Sequence, residues 1–489
     1  MAGYAVGPII SAFLGIITVP LTTRYFTRDV FGKAEIFHYV YECVLILVTL
    51  GVTNGILRFF YEEQAESRRR FIFRAQLLPV LLALALIPPI LIFYRPISIA
   101  IIGEPSFSIA VMLVVVMVFG LLERITTLLM RLHEHAFAYS MITVLNRLIY
   151  IAVLVAFIGL GNVTYSGLII PSILGVIFYW VAGWFYERRF WLSRRGEEQC
   201  RTSYKEFLAY SVPFTGAQFA DFVYFRLDKL IMWGLILLGG KGLISDPDLL
   251  FTRGDMGLYA AAAKILIFLE LLRYAFSLCW GPEIFKSHAE GKDSNLITGR
   301  VFSIFVILTS LGVVGIIAGL DIIMLLFGKD FGDVRYVAPV LLLLPAMMLL
   351  GVISETGINL AKKPLSHLLI AVVCCIFQLV VSVLAAKWWG LRGIAIGTAL
   401  TGMLMMYGKG FVSKSLFGSS CRFFRSMPVF GAVFVYALWN TFAPPPIYWN
   451  ILGALVVAAV PVALFFDTVK ELCAEALTLL RTLWVRVRQ

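Results

Sequence analysis

The residues able to do chemistry in this sequence are charges in apolar company. The stretch FADFVYFRLDKLIM, residues 219–232, carries Asp221, Arg226, Asp228 and Lys229 between long apolar runs. At about 100° per residue, Gln218, Thr215, Arg226, Lys229 and the two aspartates fall on one side of a helix; Phe219, Ala220, Val223, Tyr224, Leu227, Leu230 and Ile231 fall on the other. Other apolar runs repeat the pattern, with Glu270 and Arg273, Glu123 and Arg124, Arg147, Glu42, and Glu355 with Asn359. A guanidinium is a planar fork that matches phosphate or diphosphate oxygens. A cavity lined by Arg124, Arg147, Arg226 and Arg273, with Gln218 and Asp221 beside them, would hold an anion. That anion could be a small soluble one, or the head group of a phospholipid or polyprenyl lipid. A carboxylate at membrane depth is costly as an ion unless it is paired. Glu270 and Glu355 are therefore candidates for taking up a coupling ion when a partner such as Arg273 is drawn away. The plain alternative is local pairing, Glu270 with Arg273 or Asp221 with Arg226, that simply holds helices together. Asp228 and Lys229 sit near the end of their run, where anchoring at the membrane boundary explains them.

These residues need a scaffold, and the composition says which kind. The chain has 489 residues, 60% of them hydrophobic and 14% charged, with mean hydropathy +0.91. Such a chain is bilayer-embedded. The start, MAGYAVGPIISAFLGIITVPL, has no basic region ahead of its apolar run and reads as a membrane span, not a cleaved leader. A net charge of +12 could suggest nucleic acid, but the basic residues gather in short loops between apolar runs, where topology explains them. The seven cysteines show no metal-ligand spacing and read as small apolar residues. His133-Glu134-His135 reads as a solvated turn, so no metal or cofactor is expected.

About 20 residues are needed to cross the hydrocarbon core. The sequence predicts an all-α polytopic membrane protein with about fourteen transmembrane helices, near 4–26, 35–60, 71–94, 107–131, 139–160, 165–186, 207–232, 256–283, 297–320, 336–360, 365–388, 392–415, 427–443 and 447–467. With the N-terminus in the cytoplasm, inner loops and tail hold 24 lysines and arginines and outer loops hold 10. That bias places both termini inside.

A weak internal repeat orders the helices. GNVTYSGLIIPSILGVIFYW at 161–180 resembles GLRGIAIGTALTGMLMMY at 390–407, and DVFGKAEIFHYV at 29–40 resembles GDMGLYAAAAKI at 254–265, with Gly32 opposite Gly257. The expected organisation is an N-lobe of six helices at 1–186, a basic cytoplasmic linker at 187–206, a C-lobe of six helices at 207–416 and two further helices at 427–467. An amphipathic tail helix at 468–489 would lie on the inner leaflet. Six is an even number, so the lobes would form a parallel repeat about an axis along the membrane normal. The pairs Gly51/Gly55 and Gly393/Gly397 read as helix-packing contacts.

With these residues in view a resemblance can be stated. GPIISAFLGIITVPLTTRYFTRDVFGKAEIF followed by LGVTNGILRFFYEE is similar to the N-terminal signature of the Wzx-type polysaccharide flippases, members of the MOP exporter superfamily with the MATE transporters and lipid II flippases. YSVPFTGAQFADFVYFRLDKLIM, GLYAAAAKI, WGPEIFK and GINLAKKP resemble landmarks of the second half. The resemblance implies paired six-helix lobes with alternating access and a cationic central cavity, onto which Arg124, Arg147, Arg226 and Arg273 would map. It also implies an undecaprenyl-diphosphate-linked glycan as cargo, moved from the inner to the outer leaflet of the bacterial cytoplasmic membrane for surface polysaccharide synthesis. Partners would be that lipid-linked glycan and the membrane lipids, with polysaccharide-assembly proteins left open and no nucleic acid. Two rivals stand. A MATE-like drug or metabolite antiporter takes mostly cations, which an arginine-lined cavity disfavours. A polytopic polymerase or ligase needs a sizeable aqueous loop for its donor and its catalytic carboxylates, and no loop here is long enough.

Overall fold

The computed structural model describes residues 2–192, 200–244, 246–361, 363–418, 421–471 and 474. Its elements are helices, with no strand among the described residues. Without water in the bilayer core, each backbone N–H and C=O must be satisfied inside its own segment, and helices do that. Nine described helices are long and apolar enough to cross a membrane, and the bent pair Arg28–Thr49 and Val52–Phe59 makes ten. The protein is multi-pass. The remaining expected spans correspond to the helices Tyr204–Gly240, Ile267–Ala289 and Phe423–Phe442, and to a doubling-back inside Pro364–Phe417. Most of the tail at 468–489, and residues 193–199 of the linker at 187–206, lie outside the described residues.

The doubling-back turns on one glycine. Gly390 has φ +54° and ψ −129°, a conformation that only glycine adopts at low cost. Helices 364–389 and 391–417 then run back against each other. A Cβ on Gly393 would lie 2.1 Å from the Ala385 carbonyl oxygen, one on Gly397 would lie 2.2 Å from the Ser382 hydroxyl, and Gln378 donates to Thr398 at 3.4 Å. These glycines are packing contacts, as the sequence suggests.

By internal contacts the chain groups into two compact units. The first holds Met1–Ser245, Leu250–Ala260 and Gly328–Phe331; the second holds Asp246–Leu249, Ala261–Phe327 and Gly332–Gln489. The Tyr204–Gly240 helix, which the sequence reading assigns to the second lobe, groups with the first. In the first unit, Ala136–Gly159 packs on Ala2–Tyr25 and on Ser166–Tyr186, and Ser166–Tyr186 packs on Phe107–Leu132. In the second, Leu343–Ser354 packs on the 364–417 hairpin, and Ser294–Ala318 packs on Phe423–Phe442 and Ile447–Leu464.

Contacts in the first unit recur at one sequence interval. A Cβ on Gly32 would lie 1.8 Å from the Arg253 carbonyl oxygen, and one on Gly257 would lie 2.0 Å from that of Arg28. Arg253 donates to the carbonyls of Ile99 and Ile101 at 2.8 and 3.0 Å, beside Gly103; Arg28 donates to the carbonyl of Asp330, beside Gly328. Residues 28 and 253, 32 and 257, and 103 and 328 are each 225 apart. The two glycines that the sequence pairs as repeat equivalents thus meet each other, each against the other's neighbouring carbonyl.

Candidate functional site

A broken helix opens the site. Arg28–Thr49 ends at Leu50 with φ +48°, Gly51 follows with φ +63°, and Val52–Phe59 sets off at 47°. The left-handed conformation costs Leu50 about 1 kcal/mol or more. Packing sustains it: Gly51 and Gly55 lie against Ser211, whose carbonyl and hydroxyl would meet their added Cβ atoms at 2.3 and 1.9 Å. Two turns beyond Ser211 on the Tyr204–Gly240 helix lies Gln218. It closes a cavity of about 510 Å³ lined by His38, Tyr41, Glu42, Leu45, Thr53, Glu123, Arg124, Thr127, Arg131 and Gln218. Gly120 makes room for one wall, since its added Cβ would fall 2.3 Å from the Tyr41 hydroxyl.

The charges here come from separate helices and are only partly spoken for. Arg226 gives Nη2 to Glu42 Oε2 at 3.0 Å and lies over the Tyr39 ring, 5.3 Å from its centroid. The one hydrogen bond of Arg124 among the described residues is a long 3.5 Å contact with the Thr49 hydroxyl; Tyr41, Glu123 and Glu42 act on it through space. The side-chain oxygen Oε1 of Gln218 is buried with no donor among the described residues. Glu35 reaches electrostatically to Tyr39 and Arg226 on one side and to Tyr150 on the other. Three guanidiniums, those of Arg124, Arg131 and Arg226, thus stand against the carboxylates of Glu42 and Glu123 in or beside the cavity. A cavity of several hundred Å³ suits a drug-sized group. It is too small for a whole oligosaccharide.

Arg124 and Gln218 line the cavity, and Arg226 borders it through Glu42. Arg147 belongs to the same unit but not to this cavity; it donates to the Thr18 hydroxyl at 3.2 Å, covers the Tyr150 ring at 5.0 Å, and leaves Nε unpartnered. The side chain of Asp221 lies outside the described residues, while Arg226 pairs with Glu42 on another helix. Arg273 and Glu270 are in the second unit and bond to each other at 2.8 Å. Glu355, also there, takes the Lys409 ammonium at 2.5 Å and has His367 at 3.8 Å; Asn359 accepts from His367 at 2.9 Å.

Asp228 and Lys229 correct the sequence reading. They are not boundary anchors but a buried pair, 3% and 8% exposed, with Nζ–Oδ distances of 3.2 and 3.3 Å and the ammonium over the Tyr259 ring. Adjacent residues on a helix do not face each other unless both side chains turn back, and burial forces that here. His133 and His135 lie at a partly exposed turn, as expected, but both also approach the buried Glu187. Arg131, Tyr41, His38, Thr53 and Thr127 were not foreseen as lining residues. Arg131 was absorbed into the loop-charge pattern, and the others gave no charge to flag.

Outside the spans, Glu63 fastens the loop before Arg68–Ile92 to the start of Tyr204–Gly240. It accepts from the amides of Arg201 and Thr202 at 3.0 and 2.8 Å and from the Ser67 hydroxyl at 2.9 Å. Burial pushes its carboxyl up, but those donors outweigh burial and leave it below the usual range.

The polysaccharide biosynthesis protein family matches residues 2–288. Among solved structures, the lipid II flippase MurJ in an inward closed conformation is similar over 98% of this chain and 100% of its own, with TM-score 0.68 and 12% identity. An inward-facing multidrug resistance MATE family transporter of the MOP superfamily is similar over 84% of this chain and 94% of its own, with TM-score 0.57 and 13% identity. No curated protein matches the sequence. At such identities the structural likenesses establish the fold.

Proposed function

We propose, since this chain belongs to the polysaccharide biosynthesis protein family, that it is a flippase carrying a polyprenyl-diphosphate-linked oligosaccharide from the inner to the outer leaflet of a bacterial cytoplasmic membrane. The family and the fold are of transporter type, not those of a catalytic enzyme. The observation that carries the cargo class is the cavity at Arg124, Arg131 and Gln218, with Arg226 beside it. A permanent cation within a span is costly, on the order of 3 kcal/mol at the bilayer centre, unless it is paired or faces a wet cavity. Among the described residues Arg124 has no close carboxylate partner, so it has a fork to offer a diphosphate. A MATE-like antiporter of cations would use Glu42 and Glu123 instead, but Glu42 is engaged by Arg226.

In this reading the cycle is an exchange between inward-open and outward-open states. The contacts repeating at 225 residues support a parallel repeat. With the N-terminus inside, Arg28 and Arg253 with their carbonyl acceptors would lie toward the outer face. Single cysteines at Gly196 and Asp246 in a cysteine-free chain would then label from opposite sides; labelling from one side contradicts that topology. Glu270 and Glu355 remain the candidates for coupling to a proton or sodium gradient.

The test is genetic. In a cell lacking its own flippase for the same glycan, this gene should restore surface polysaccharide, and without it the lipid-linked precursor should collect in the inner leaflet. Restored drug efflux with no change in surface polysaccharide would instead favour the antiporter.

A further inference from the structure

We propose that His133, His135 and Glu187 bind one divalent transition-metal cation of the zinc class and so clip three helix ends of the first unit together. His133 caps the end of Phe107–Leu132, His135 caps the start of Ala136–Gly159, and Glu187 caps the end of Ser166–Tyr186. His133 Nδ1 stands 2.8 Å from Glu187 Oε2, and His135 Nε2 stands 3.6 Å from Glu187 Oε1. All three donor atoms lie within 4.8 Å of one another. Bond lengths of roughly 2.0–2.2 Å put tetrahedral zinc ligands about 3.4 Å apart, so small side-chain rotations complete the geometry. Two imidazoles and one carboxylate suit zinc, copper or nickel, whereas calcium and magnesium want oxygen ligands. The fourth position is left to water.

Two independent observations point to a ligand. Glu187 is 4% exposed, and its Oε1 is buried without a hydrogen-bond donor among the described residues while facing His135. A buried acceptor in that condition is a group still to be satisfied. Glu134, between the two histidines, has φ +61°. Leu50 is its only non-glycine counterpart among the described residues. The left-handed turn at Glu134 brings His133 and His135 to the same carboxylate, and such a conformation persists where something over-determines it. The rings are also fixed from behind: His133 meets Phe60 and Phe190 edge-on, and His135 meets Tyr186. The chain has five histidines, and His38, His288 and His367 are engaged elsewhere.

The plain rival is a His133–Glu187 hydrogen bond and nothing more. Zinc titrated into the purified full-length protein in detergent, against a competing chelator, separates the two. The expected result is one ion per chain, with a thermal midpoint that rises with zinc. His135→Ala and Glu187→Gln should each weaken binding by about tenfold or more and abolish the rise. His135 is the more exposed histidine, so its removal tests the ligand with little loss of packing. Should Glu187→Gln not fold, His135→Ala carries the decision alone. A wild-type chain that binds no zinc, or a folded His135→Ala that binds it as tightly as the wild type, overturns the site.

Discussion

The two units treat the same residue types differently. In the first, charges from several helices converge on open space: Glu42 and Tyr41 from Arg28–Thr49, Glu123 and Arg124 from Phe107–Leu132, Gln218 and Arg226 from Tyr204–Gly240. Gln218 Oε1 there has no hydrogen-bond donor among the described residues, and Arg124 has only its long contact to Thr49. In the second, the charges close on themselves. Glu270 takes Arg273 one turn along its own helix, and Glu355 takes Lys409. Local pairing is enough to keep a charge in a membrane, so it says little about cargo. Unfinished pairing around a cavity says more, because something else must complete it. The difference is why the proposed cargo contacts lie in the first unit, with coupling the role to test in the second.

The sharpest way to break this comparison is to remove Arg124. Arg124→Ala should lower surface polysaccharide by about 100-fold or more at unchanged protein abundance, since a guanidinium–phosphate contact realised at the site cannot be replaced by solvent. Arg124→Lys should recover only part of it. Near-normal output from Arg124→Ala, measured by quantitative blotting, would move the cargo site out of the first unit.

Arg226 is expected to matter less, because Glu42 already engages it. Arg226→Ala leaves the Glu42 carboxylate unmatched and should reduce export by roughly tenfold, about 1.4 kcal/mol. The double variant Arg226→Gln with Glu42→Gln should do better than Arg226→Gln alone if pairing dominates. A double variant no better than the single one would make Arg226 a cargo contact instead.

In the second unit, Glu270→Gln should keep substrate binding but lose the response of transport to a proton gradient. Its effect without a gradient should be a few-fold at most. Transport in vesicles with and without the gradient checks this; wild-type dependence in the variant would leave Glu270 and Arg273 as a structural pair.

The smallest effect concerns stability. Glu63 has a lowered folded-state pKa, so its contribution is fully present above the unfolded carboxyl value of about 4.3 and is lost as pH falls through the folded value. Glu63→Gln should destabilise by about 1–3 kcal/mol at pH 7, because the amides of Arg201 and Thr202 lose a charged acceptor. The deficit relative to wild type should shrink only in acid. Thermal unfolding of both proteins between pH 3 and 7 would show it.

How much of this the sequence disclosed follows from the range of the forces involved. Helix type and span length are set by local apolarity, and the runs read from the sequence correspond to the helices observed. The Gly393/Gly397 pair is visible because close approach is written in one residue type, whereas Gly390 shows in the sequence only as part of a gap between two expected spans. The partners of the charges were not visible. Arg226 meets Glu42 across 184 positions, and no spacing rule reaches that far. Glu270 with Arg273 was legible because three residues make one helical turn. The cavity lies between these cases: Gln218 is read from helical phase and Arg124 as a charge in an apolar run, but Tyr41, Thr53 and Arg131 join only after the chain breaks at Leu50. Leucine there gives no signal of a left-handed turn.

The most direct measurement places the purified protein in vesicles with a fluorescent polyprenyl-diphosphate oligosaccharide in both leaflets, then adds an impermeant quencher or glycan-cleaving enzyme. The account predicts that wild-type protein renders nearly all of the lipid accessible, against about half in protein-free vesicles, and that Arg124→Ala stays at the protein-free level. Equal accessibility with and without wild-type protein would contradict lipid-linked glycan as the cargo, and wild-type behaviour from Arg124→Ala would contradict the first-unit cavity as its site.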